Sequence, residues 1–585
     1  MQPLMINSML KSFQISLLFL LYASSIGAEN QDLPIIDYNS VSHPEIGTGG
    51  MVVSQRRIAS EVGAQILREG GNAVDAAVAT ALALAVVLPR AGNLGGGGFM
   101  MIYSEEQNKT IAIDYREMAP LGATRDMFLD KKGNYDRKKA QFSLLSAGVP
   151  GTVAGLHYAL TKYGTFSWSK VIEPAIKLAK EGFIVPHDLS SILSNYRNRL
   201  TRNEATAKAY YKANKVPYSA GEVIKLPDLA WTLMQLQESG PSAFYKGKIA
   251  EKIVSEMERN GGLITAKDLA NYEVKERAPL KGSYKGYEIV SMPPSSSGGV
   301  HLIQMLNMLE QFSLKDMGFG SAETIHLLSE VMKRAYADRS TYLGDTDFVS
   351  VPLKGLVNKN YAKSLLKEIS LKEVTPSKDI GSGNPLPYES PDTTHFSVMD
   401  NKGNVVSNTY TLNFSYGSGI VIPDTGILMN NEMDDFSSKK GVPNAYGLVG
   451  YEANEIEGKK RPLSSMTPTI VFKDKKPYLV LGSPGGSRII TTVLQVVLNV
   501  LEHNMNVMQA VVSPRIHHQW LPDVLLMEEG FSSDTKTLLE MKGHLIKPSR
   551  TMGSVQAIIS KDNYFYGAAD PRRPSSGAVS VSLNP

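Results

Sequence analysis

A sharp change of pattern at residue 393 constrains the fold of this chain more than any other feature of the sequence. Residues 374–392, VTPSKDIGSGNPLPYESPD, are rich in Pro, Gly and Ser and contain few apolar side chains. This composition predicts an exposed, mobile leader. Two runs with the two-residue period of a β-strand follow at once, over residues 393–399 and 405–413. A hairpin is therefore expected directly after the leader.

The turn of this hairpin, DNKGN at residues 400–404, places Gly403 where a left-handed conformation is needed. A three-residue loop over 401–403 fixes the register of the two strands. The expected pairs are Val398 with Val406, Phe396 with Asn408, Thr394 with Tyr410, and Thr393 with Thr411. One face is then mostly apolar, and the other carries Thr393, His395, Ser397, Ser407, Thr409 and Thr411. An ordinary amphipathic hairpin with its hydroxyl groups in water is the alternative.

The peptide bond between Asp392 and Thr393 joins the leader to the first strand. A break in the chain there costs little structure and leaves Thr393 as a new N-terminus. An N-terminal threonine carries a hydroxyl and its own base, because an α-amine has a pKa of about 7.7 to 8.0 and is partly neutral at physiological pH. This bond is therefore a candidate site of self-cleavage, with Thr393 as the candidate nucleophile.

A glycine-rich turn, GSPGGSR at residues 482–488, lies between a predicted strand at 477–481 and a predicted helix at 489–501. Backbone N–H groups at such a helix start are suited to bind an oxyanion, because the free donors and the helix dipole point the same way. A plain strand-to-helix turn is the alternative. Arg116, Glu432, Asp435, Ser464 and Ser465 add groups that bind a carboxylate and an ammonium, although each alone fits surface charge or a cap.

The rest of the chain before residue 374 predicts both helices and strands. Helices are expected around residues 58–68 and 73–88, followed by strands at 99–103 and 110–115. The run at 73–88 is Ala-rich and apolar except for Asp75 and Thr80, which predicts a buried helix too short to span a membrane. From about 150 to 370 the pattern is mostly helical, with a β insert at 282–292.

Residues 1–28 have the build of a secretory signal peptide, with an apolar core followed by small residues before Glu29. A retained membrane anchor is the alternative, since residues 12–28 are uncharged. The chain has no Cys, which excludes disulfides and cysteine metal sites. Lys and Arg outnumber Asp and Glu by only 61 to 57, a balance that does not indicate nucleic acid as a partner. The ten His show no ligand spacing, and His517 and His518 are interpreted as structural.

In combination these motifs resemble the gamma-glutamyltransferase (gamma-glutamyltranspeptidase) family of N-terminal nucleophile hydrolases. The resemblance is carried by residues 71–76, 91–99, 114–120, 393–397, 430–436, 461–466, 482–488 and 570–572, and it spans nearly the whole chain after residue 28. It implies an α+β fold of four layers, αββα. It also implies one precursor that cuts itself into a large subunit, residues 29–392, and a small catalytic subunit, residues 393–585, which stay associated.

The resemblance assigns a role to each candidate residue. Thr393 is the nucleophile, Thr411 its hydrogen-bond partner, and the N–H groups of Gly485 and Gly486 the oxyanion donors. Binding of the substrate α-carboxylate falls to Arg116, Ser464 and Ser465, and binding of its α-ammonium to Asn413, Glu432 and Asp435. Glu432 departs from the pattern of the family, since many bacterial members look to have Gln at this position. Residues 437–449 resemble a lid, with Tyr446 covering the site.

The function implied by the resemblance is γ-glutamyl transfer and hydrolysis through a Thr393 acyl-enzyme, without a metal or organic cofactor. The expected partners are glutathione and other γ-glutamyl compounds, water, and amino-acid or peptide acceptors, at a secreted or periplasmic address. A glutaryl or cephalosporin-type acylase is the nearer alternative. A serine hydrolase is disfavoured, because Ser364 and Lys367 stand without supporting motifs. A non-enzymatic amino-acid binding protein is the third alternative, and it would have no reason to be cleaved.

Overall fold

The structure is a computed structural model that describes residues 40–385, 396–439, 441–444 and 446–582. The predicted signal peptide, the cleavage site at Asp392 and Thr393, and leader residues 386–392 lie outside this part of the chain. Residue contacts divide the chain into residues 1–43 and 44–585, and every element described below belongs to the second unit.

Two antiparallel seven-stranded sheets form the centre of this unit. Sheet 1 contains, in spatial order, β1 (Glu45–Gly47), β20 (Tyr564–Ala569), β19 (Gln556–Lys561), β15 (Lys476–Gly482), β14 (Thr469–Lys473), β11 (Tyr287–Ser291) and β10 (Leu280–Tyr284). Sheet 2 contains β21 (Gly577–Val581), β2 (Gly50–Ser54), β12 (Ser397–Asp400), β13 (Val405–Thr411), β3 (Gly97–Ser104), β4 (Lys109–Tyr115) and β9 (Lys275–Arg277). The sheets face each other through β12, β13 and β2 of sheet 2 and β15, β19 and β20 of sheet 1.

Helices cover the outer face of each sheet. The first half of the chain contributes α1 (Arg57–Arg68), α2 (Ala73–Val87), α3 (Arg137–Phe142), α4 (Thr152–Tyr163), α5 (Trp168–Glu181), α6 (His187–Leu200), α7 (Glu204–Tyr210), α8 (Pro227–Ser239), α9 (Pro241–Tyr245), α10 (Lys248–Asn260) and α11 (Ala266–Ala270). The second half contributes α12 (Gly298–Leu309), α13 (Leu314–Met317), α14 (Ala322–Tyr342), α15 (Leu353–Leu356), α16 (Lys359–Leu366), α17 (Arg488–Leu501), α18 (Val507–Val512) and α19 (Ser533–Met541). Helices α1, α2 and α4 pack on sheet 2, whereas α12, α17 and α18 pack on sheet 1.

Short elements complete the fold. Three small sheets are formed by β5 (Phe183–Ile184) with β8 (Val223–Ile224), by β6 (Tyr211–Lys212) with β7 (Val216–Pro217), and by β16 (Ile516–His517), β17 (Leu525–Met527) and β18 (Ile546–Pro548). Single 3-10 turns lie at Leu144–Ser146, Ala213–Lys215, Ser377–Asp379, Glu432–Asp435 and Glu452–Asn454. The α+β class and the four-layer αββα order expected from the sequence are confirmed. None of the described helices has the length and apolarity to cross a bilayer.

Helix α2 is buried along its whole length, as its Ala-rich sequence predicts. Its small side chains let it pack closely between sheet 2 and the outer helix α5. The two polar exceptions have local partners. Asp75 forms a capping box with Asn72 and also accepts from Thr165, and Thr80 donates to the Ala76 carbonyl.

The predicted register of the hairpin is confirmed over the described residues. Val398 pairs with Val406, and the Asn408 N–H donates to the Phe396 carbonyl. Gly403 has φ +89°, the left-handed conformation that the turn requires. The alternative of hydroxyl groups in water is wrong for Ser397, which is fully buried between the sheets and donates to the Gln556 carbonyl. The polar face therefore points into the sandwich.

The first part of the leader differs from the exposed segment that its composition predicts. Ser377 and Ile380 are buried. The Ser377 N–H donates to Asp523, and the Trp520 indole donates to the carbonyls of Ser377 and Ile380 at 2.9 and 3.0 Å. Polar side chains distant in sequence thus satisfy backbone groups that composition alone assigns to solvent. These contacts join the end of the predicted large subunit to the predicted small one.

Candidate active site

One cavity of about 570 Å³ collects all the predicted site residues that the structure describes. Its walls include Arg116, Thr411, Asn413, Glu432, Asp435, Tyr446, Ser464, Ser465, Gly485 and Gly486. Thr393 lies outside the described residues. Thr411 ends a strand of sheet 2, and the other residues lie in loops and turns that adjoin strands of both sheets, so the fold gathers groups that are hundreds of residues apart.

Thr411 ends β13, next to the glycine-rich start of β3. It pairs with Gly97, and its carbonyl accepts a hydrogen bond from the Asn93 amide at 2.9 Å. Its hydroxyl accepts from the Asn413 N–H at 2.8 Å. Continuing the confirmed register from residue 396 toward residue 393 would bring Thr393 opposite Thr411. That pairing remains a prediction.

The turn from β15 to α17 supplies the glycine wall of the cavity. Gly485 has φ +146° and Gly486 has φ +58°, conformations that favour glycine. A side chain at Gly486 would also meet the Tyr446 ring at 2.5 Å. The Gly485 carbonyl accepts from the N–H of Arg488, where α17 begins. The strand, the turn and the helix are placed as the sequence predicts.

Arg116 is the fully buried centre of a cluster of charges. Its guanidinium donates to Glu432 at 2.5 Å, to Asp435 at 2.7 Å and to the Pro462 carbonyl at 3.2 Å. Glu117, also fully buried, lies 3.5 Å from the same guanidinium. Arg116, which is expected to bind a carboxylate, is therefore hydrogen-bonded to Glu432 and Asp435, which are expected to bind an ammonium. Glu117 was given no role by the sequence, although it directly follows Arg116 in the motif DYRE.

The electrostatics of this cluster follow from three carboxyl groups that surround one guanidinium. Burial raises the pKa of Glu117 to about 7, with Arg116 opposing the shift. Burial also raises the pKa values of Glu432 and Asp435 above their usual ranges, and Arg116 again opposes. Burial by itself would lower the pKa of Arg116, but the three carboxyls raise it. Among these groups, Glu117 is therefore expected to lose its proton near neutral pH.

Ser464 and Ser465 are held beside this cluster by a buried neighbour that the sequence did not reveal. The Ser464 N–H donates to the Ser295 carbonyl, and the Ser297 N–H donates to the Ser464 carbonyl. Arg339, which also lines the cavity, donates to the hydroxyl groups of Ser297 and Ser465 at 2.7 and 3.0 Å. Arg339 lies near the end of α14 in an ordinary helical pattern. No signal in that pattern separates it from a surface arginine.

Tyr446, the predicted lid residue, forms part of the cavity wall. Its hydroxyl donates to the Asn413 carbonyl at 2.8 Å, and its ring meets the Phe414 ring edge-on at 5.7 Å between centroids. Its carbonyl accepts from the Gln519 amide. Tyr446 thus joins the residues after β13 to the glycine turn.

The adjacent histidines have protein partners in the structure. His517 contacts Thr491 and Gln519, and His518 lies 3.2 Å from Asp523. Burial lowers the pKa of His517 to about 3. Among the described residues, no group of three or more His, Asp or Glu side chains is arranged to hold a metal ion.

Two facing sheets between helical layers, with a cavity at the end of the central hairpin, define the class of N-terminal nucleophile hydrolases. A sequence model described as gamma-glutamyltranspeptidase matches residues 59–580. The chain belongs to the gamma-glutamyltranspeptidase family.

Individual relatives support this assignment. A glutathione hydrolase proenzyme of Escherichia coli is 55% identical over 533 residues, which cover 91% of this chain and 92% of that protein. The crystal structure of Helicobacter pylori gamma-glutamyltranspeptidase superposes with a TM-score of 0.56 at 48% identity and covers 57% of this chain and 95% of its own. A cephalosporin acylase from Bacillus halodurans gives a TM-score of 0.82 at 25% identity and covers 95% and 100%.

Proposed function

We propose that this protein transfers and hydrolyses γ-glutamyl groups, with glutathione among its donors, through an acyl-enzyme on Thr393. The observation that supports it best is the single cavity in which Arg116, Glu432 and Asp435 lie with Thr411 and the glycine turn. An α-amino acid end carries one positive and one negative charge. Both signs of protein charge meet in this cavity.

The reaction has two steps, and each conserves atoms and protons. The Thr393 oxygen attacks the γ-carbonyl carbon, its proton passes to the Thr393 α-amine, and the C–N bond breaks as that proton reaches the leaving amine. A water or an amino-acid or peptide acceptor then attacks the ester and restores the hydroxyl. The N–H groups of Gly485 and Gly486 bind the oxyanion in both steps. Thr411 orients the Thr393 hydroxyl.

The substrate α-carboxylate binds at Ser464, Ser465 and Arg116, next to Arg339. The α-ammonium binds at Asn413, Glu432 and Asp435. Arg116 already donates to Glu432 and Asp435. The substrate ammonium and carboxylate therefore bind between groups that are already ion-paired with each other. An incoming ammonium replaces part of the guanidinium as partner of these carboxylates, which frees donors for the substrate carboxylate.

Maturation uses the same hydroxyl. The Thr393 oxygen attacks the Asp392 carbonyl carbon, and the C–N bond breaks to give an ester and a free Thr393 α-amine. Water then hydrolyses the ester, which leaves a carboxylate on Asp392, restores the Thr393 hydroxyl and divides the precursor into residues 29–392 and 393–585. The two subunits stay together through the paired sheets. Residues 1–28 direct export to a secreted or periplasmic location and are then removed. The hydrogen bonds between the leader and Trp520 support retention of the large-subunit end after cleavage.

A glutaryl acylase is the alternative function, because the chain is also similar in structure to a cephalosporin acylase. A glutaryl group has no ammonium, so Glu432 and Asp435 would face it without an opposite charge. We expect purified enzyme to hydrolyse γ-glutamyl-p-nitroanilide at least about 10-fold faster, in kcat/KM, than glutaryl-p-nitroanilide. Absorbance at the nitroaniline band measures both rates. Preference for the glutaryl donor would reject the proposed function in favour of the acylase.

Donor binding is expected to strengthen as the pH rises from 6 to 8. Burial raises the pKa of Glu117 to about 7, so this carboxyl becomes negative over this range, and burial also raises the pKa of its neighbour Glu432 above the usual range. Negative charge attracts the donor ammonium, and KM therefore falls with pH. Arg116, Asp435, Arg339 and Tyr446 are the charged or titratable groups beside these carboxyls, and the rest of the cavity wall includes Arg90, Arg199, Arg488 and Arg573.

The variant Glu432→Gln removes one ionisable member of this pair and keeps an acceptor. Its KM is expected to change less with pH than that of the unaltered enzyme. Steady-state kinetics with γ-glutamyl-p-nitroanilide between pH 5.5 and 8.5 measure the difference, and comparing the two enzymes cancels the titration of the Thr393 amine. Superimposable KM profiles would contradict the assignment.

A further inference from the structure

Arg90, Arg199 and Arg573 line the same cavity outside the Arg116 cluster, as does Arg488 at the start of α17. Arg90 follows α2, Arg199 lies at the end of α6, and Arg573 lies between β20 and β21. The surrounding wall includes Gln55, Tyr196 and Ser415. Arg90, Arg199 and Arg573 were not singled out in the sequence, because they are spread over nearly five hundred positions.

Each of these three arginines leaves part of its guanidinium unsatisfied. The Nε atoms of Arg90, Arg199 and Arg573 are buried and have no hydrogen-bond partner among the described residues. Arg199 donates another N–H to the Ser415 carbonyl, and its guanidinium lies 4.7 Å from the centre of the Tyr196 ring. The side chains of these arginines line the cavity wall, where guanidinium groups can donate to a ligand.

The local charge is also poorly balanced. Arg56 is close enough to Arg90 and Arg573 to repel both electrostatically, and Asp188 is close enough to attract both. Both oxygens of Asp188 already accept from Arg56, and one also accepts from Ser575. Positive charge therefore exceeds negative charge here, because a guanidinium stays protonated in proteins.

Two further carboxylates near Arg573, those of Asp570 and Glu528, form ion pairs with other arginines. Asp570, three residues before Arg573, accepts from Arg515 at 2.7 Å and lies 3.3 Å from Arg572. Glu528 binds Arg572.

Burial lowers the pKa values of all three arginines. Burial lowers the pKa of Arg90 to about 10, and the neighbouring Arg573 and Arg56 lower it further. Burial likewise lowers the pKa of Arg199 and of Arg573, although Asp570 and Asp188 oppose the shift at Arg573. At the Arg116 cluster the opposite holds, since carboxyls raise the pKa of the guanidinium. The cavity thus has one region with excess carboxyl groups and one with excess guanidinium groups.

We propose that Arg90, Arg199 and Arg573 form a subsite for the carboxylate on the amine portion of the substrate. This is the C-terminal carboxylate of the peptide that leaves a γ-glutamyl donor, or the carboxylate of the amino acid or peptide that accepts the acyl group. The planar fork of arginine matches a carboxylate in two-point contact. The inference rests on the proposed γ-glutamyl function, and it assigns the specificity for the other half of the substrate.

The first test uses the unaltered, processed enzyme. Hydrolysis of glutathione is compared with hydrolysis of its C-terminal glycinamide, which differs only in that carboxylate. We expect kcat/KM to be about 10-fold to 100-fold higher for glutathione, the usual effect of a hydrogen bond to a charged group. Equal values overturn the proposal. γ-Glutamyl-p-nitroanilide has no such carboxylate and therefore tests the proposed function separately. If the enzyme hydrolyses it but hydrolyses glutathione and the glycinamide equally well, only this inference is rejected. If the enzyme does not hydrolyse it, the proposed function is rejected.

The second test assigns the effect to residues. Arg90→Gln, Arg199→Gln and Arg573→Gln are expected to lower kcat/KM for glutathione more than for the glycinamide, which moves their ratio toward one. Arg57→Gln is the matched control, because it removes the same charge from an exposed side chain that forms an ion pair with Glu61. Its ratio should equal that of the unaltered enzyme. A ratio that survives in all three cavity variants overturns the assignment.

A third comparison distinguishes the two sources of the carboxylate. Glycylglycine and its amide are offered as acceptors to enzyme that is turning over γ-glutamyl-p-nitroanilide. A preference for the free carboxylate in glutathione hydrolysis, but not in this transfer, assigns the subsite to the leaving peptide alone. A preference in both reactions assigns it to leaving peptide and acceptor alike. The absence of any preference in either reaction overturns the proposal.

Discussion

The variant Thr393→Ala is expected to remain a single uncut chain and to lose at least about 10⁴-fold in γ-glutamyl hydrolysis, because it removes the nucleophile of both cleavage and catalysis. Denaturing electrophoresis and N-terminal sequencing measure the cleavage. The unaltered enzyme should give a small fragment that begins at Thr393. Hydrolysis of γ-glutamyl-p-nitroanilide measures the activity.

Thr393→Ser is the matched control for this variant. It keeps a hydroxyl and an α-amine, so cleavage and activity should persist at reduced rates. A variant Thr393→Ala that is still cut before residue 393 would contradict the assignment of the nucleophile. An unaltered enzyme that stays uncut would leave the binding-protein alternative.

Arg116→Ala is expected to lower kcat/KM for γ-glutamyl donors about 10²-fold to 10³-fold and to destabilise the fold by about 3 to 5 kcal/mol. The substitution leaves Glu117, Glu432 and Asp435 buried around a missing cation. Steady-state kinetics and denaturant unfolding measure the two effects. Since the lost group binds substrate, KM should rise more than kcat falls.

Arg116→Lys separates these two effects. A lysine keeps the positive charge, but its ammonium cannot reproduce the planar fork that reaches Glu432, Asp435 and the Pro462 carbonyl. Stability should therefore recover more than donor binding does. A lysine variant with the donor KM of the unaltered enzyme would show that charge alone matters, and an alanine variant with unchanged KM would contradict the substrate-binding role.

Local pattern was enough to predict the hairpin. The two-residue period and Gly403 set the register that the structure has between Val398 and Val406. The glycine turn and α17 were likewise predicted at their observed places. These features depend on neighbours within a few residues, and the physical rules for turns and strands act at that range.

Burial of charge was not predictable in the same way. Glu117 and Arg339 look like surface residues in the sequence, yet both are buried beside the cavity. The expectation of an exposed leader was wrong at Ser377 and Ile380 for the same reason. Their partners lie far along the chain, and composition carries no information about which distant group will meet them.

The sequence by itself determined the alternation of elements, the register of the hairpin and the chemical types of the candidate site residues, because each of these depends on local backbone preferences and side-chain chemistry. Only the tertiary structure decided that Arg116 is shared by three carboxyls, and that Arg90, Arg199 and Arg573 meet in one wall without an equal number of carboxylates. The balance of charge in a cavity is a sum over residues brought together by packing. That sum exists only after the two sheets and their helices have closed around it.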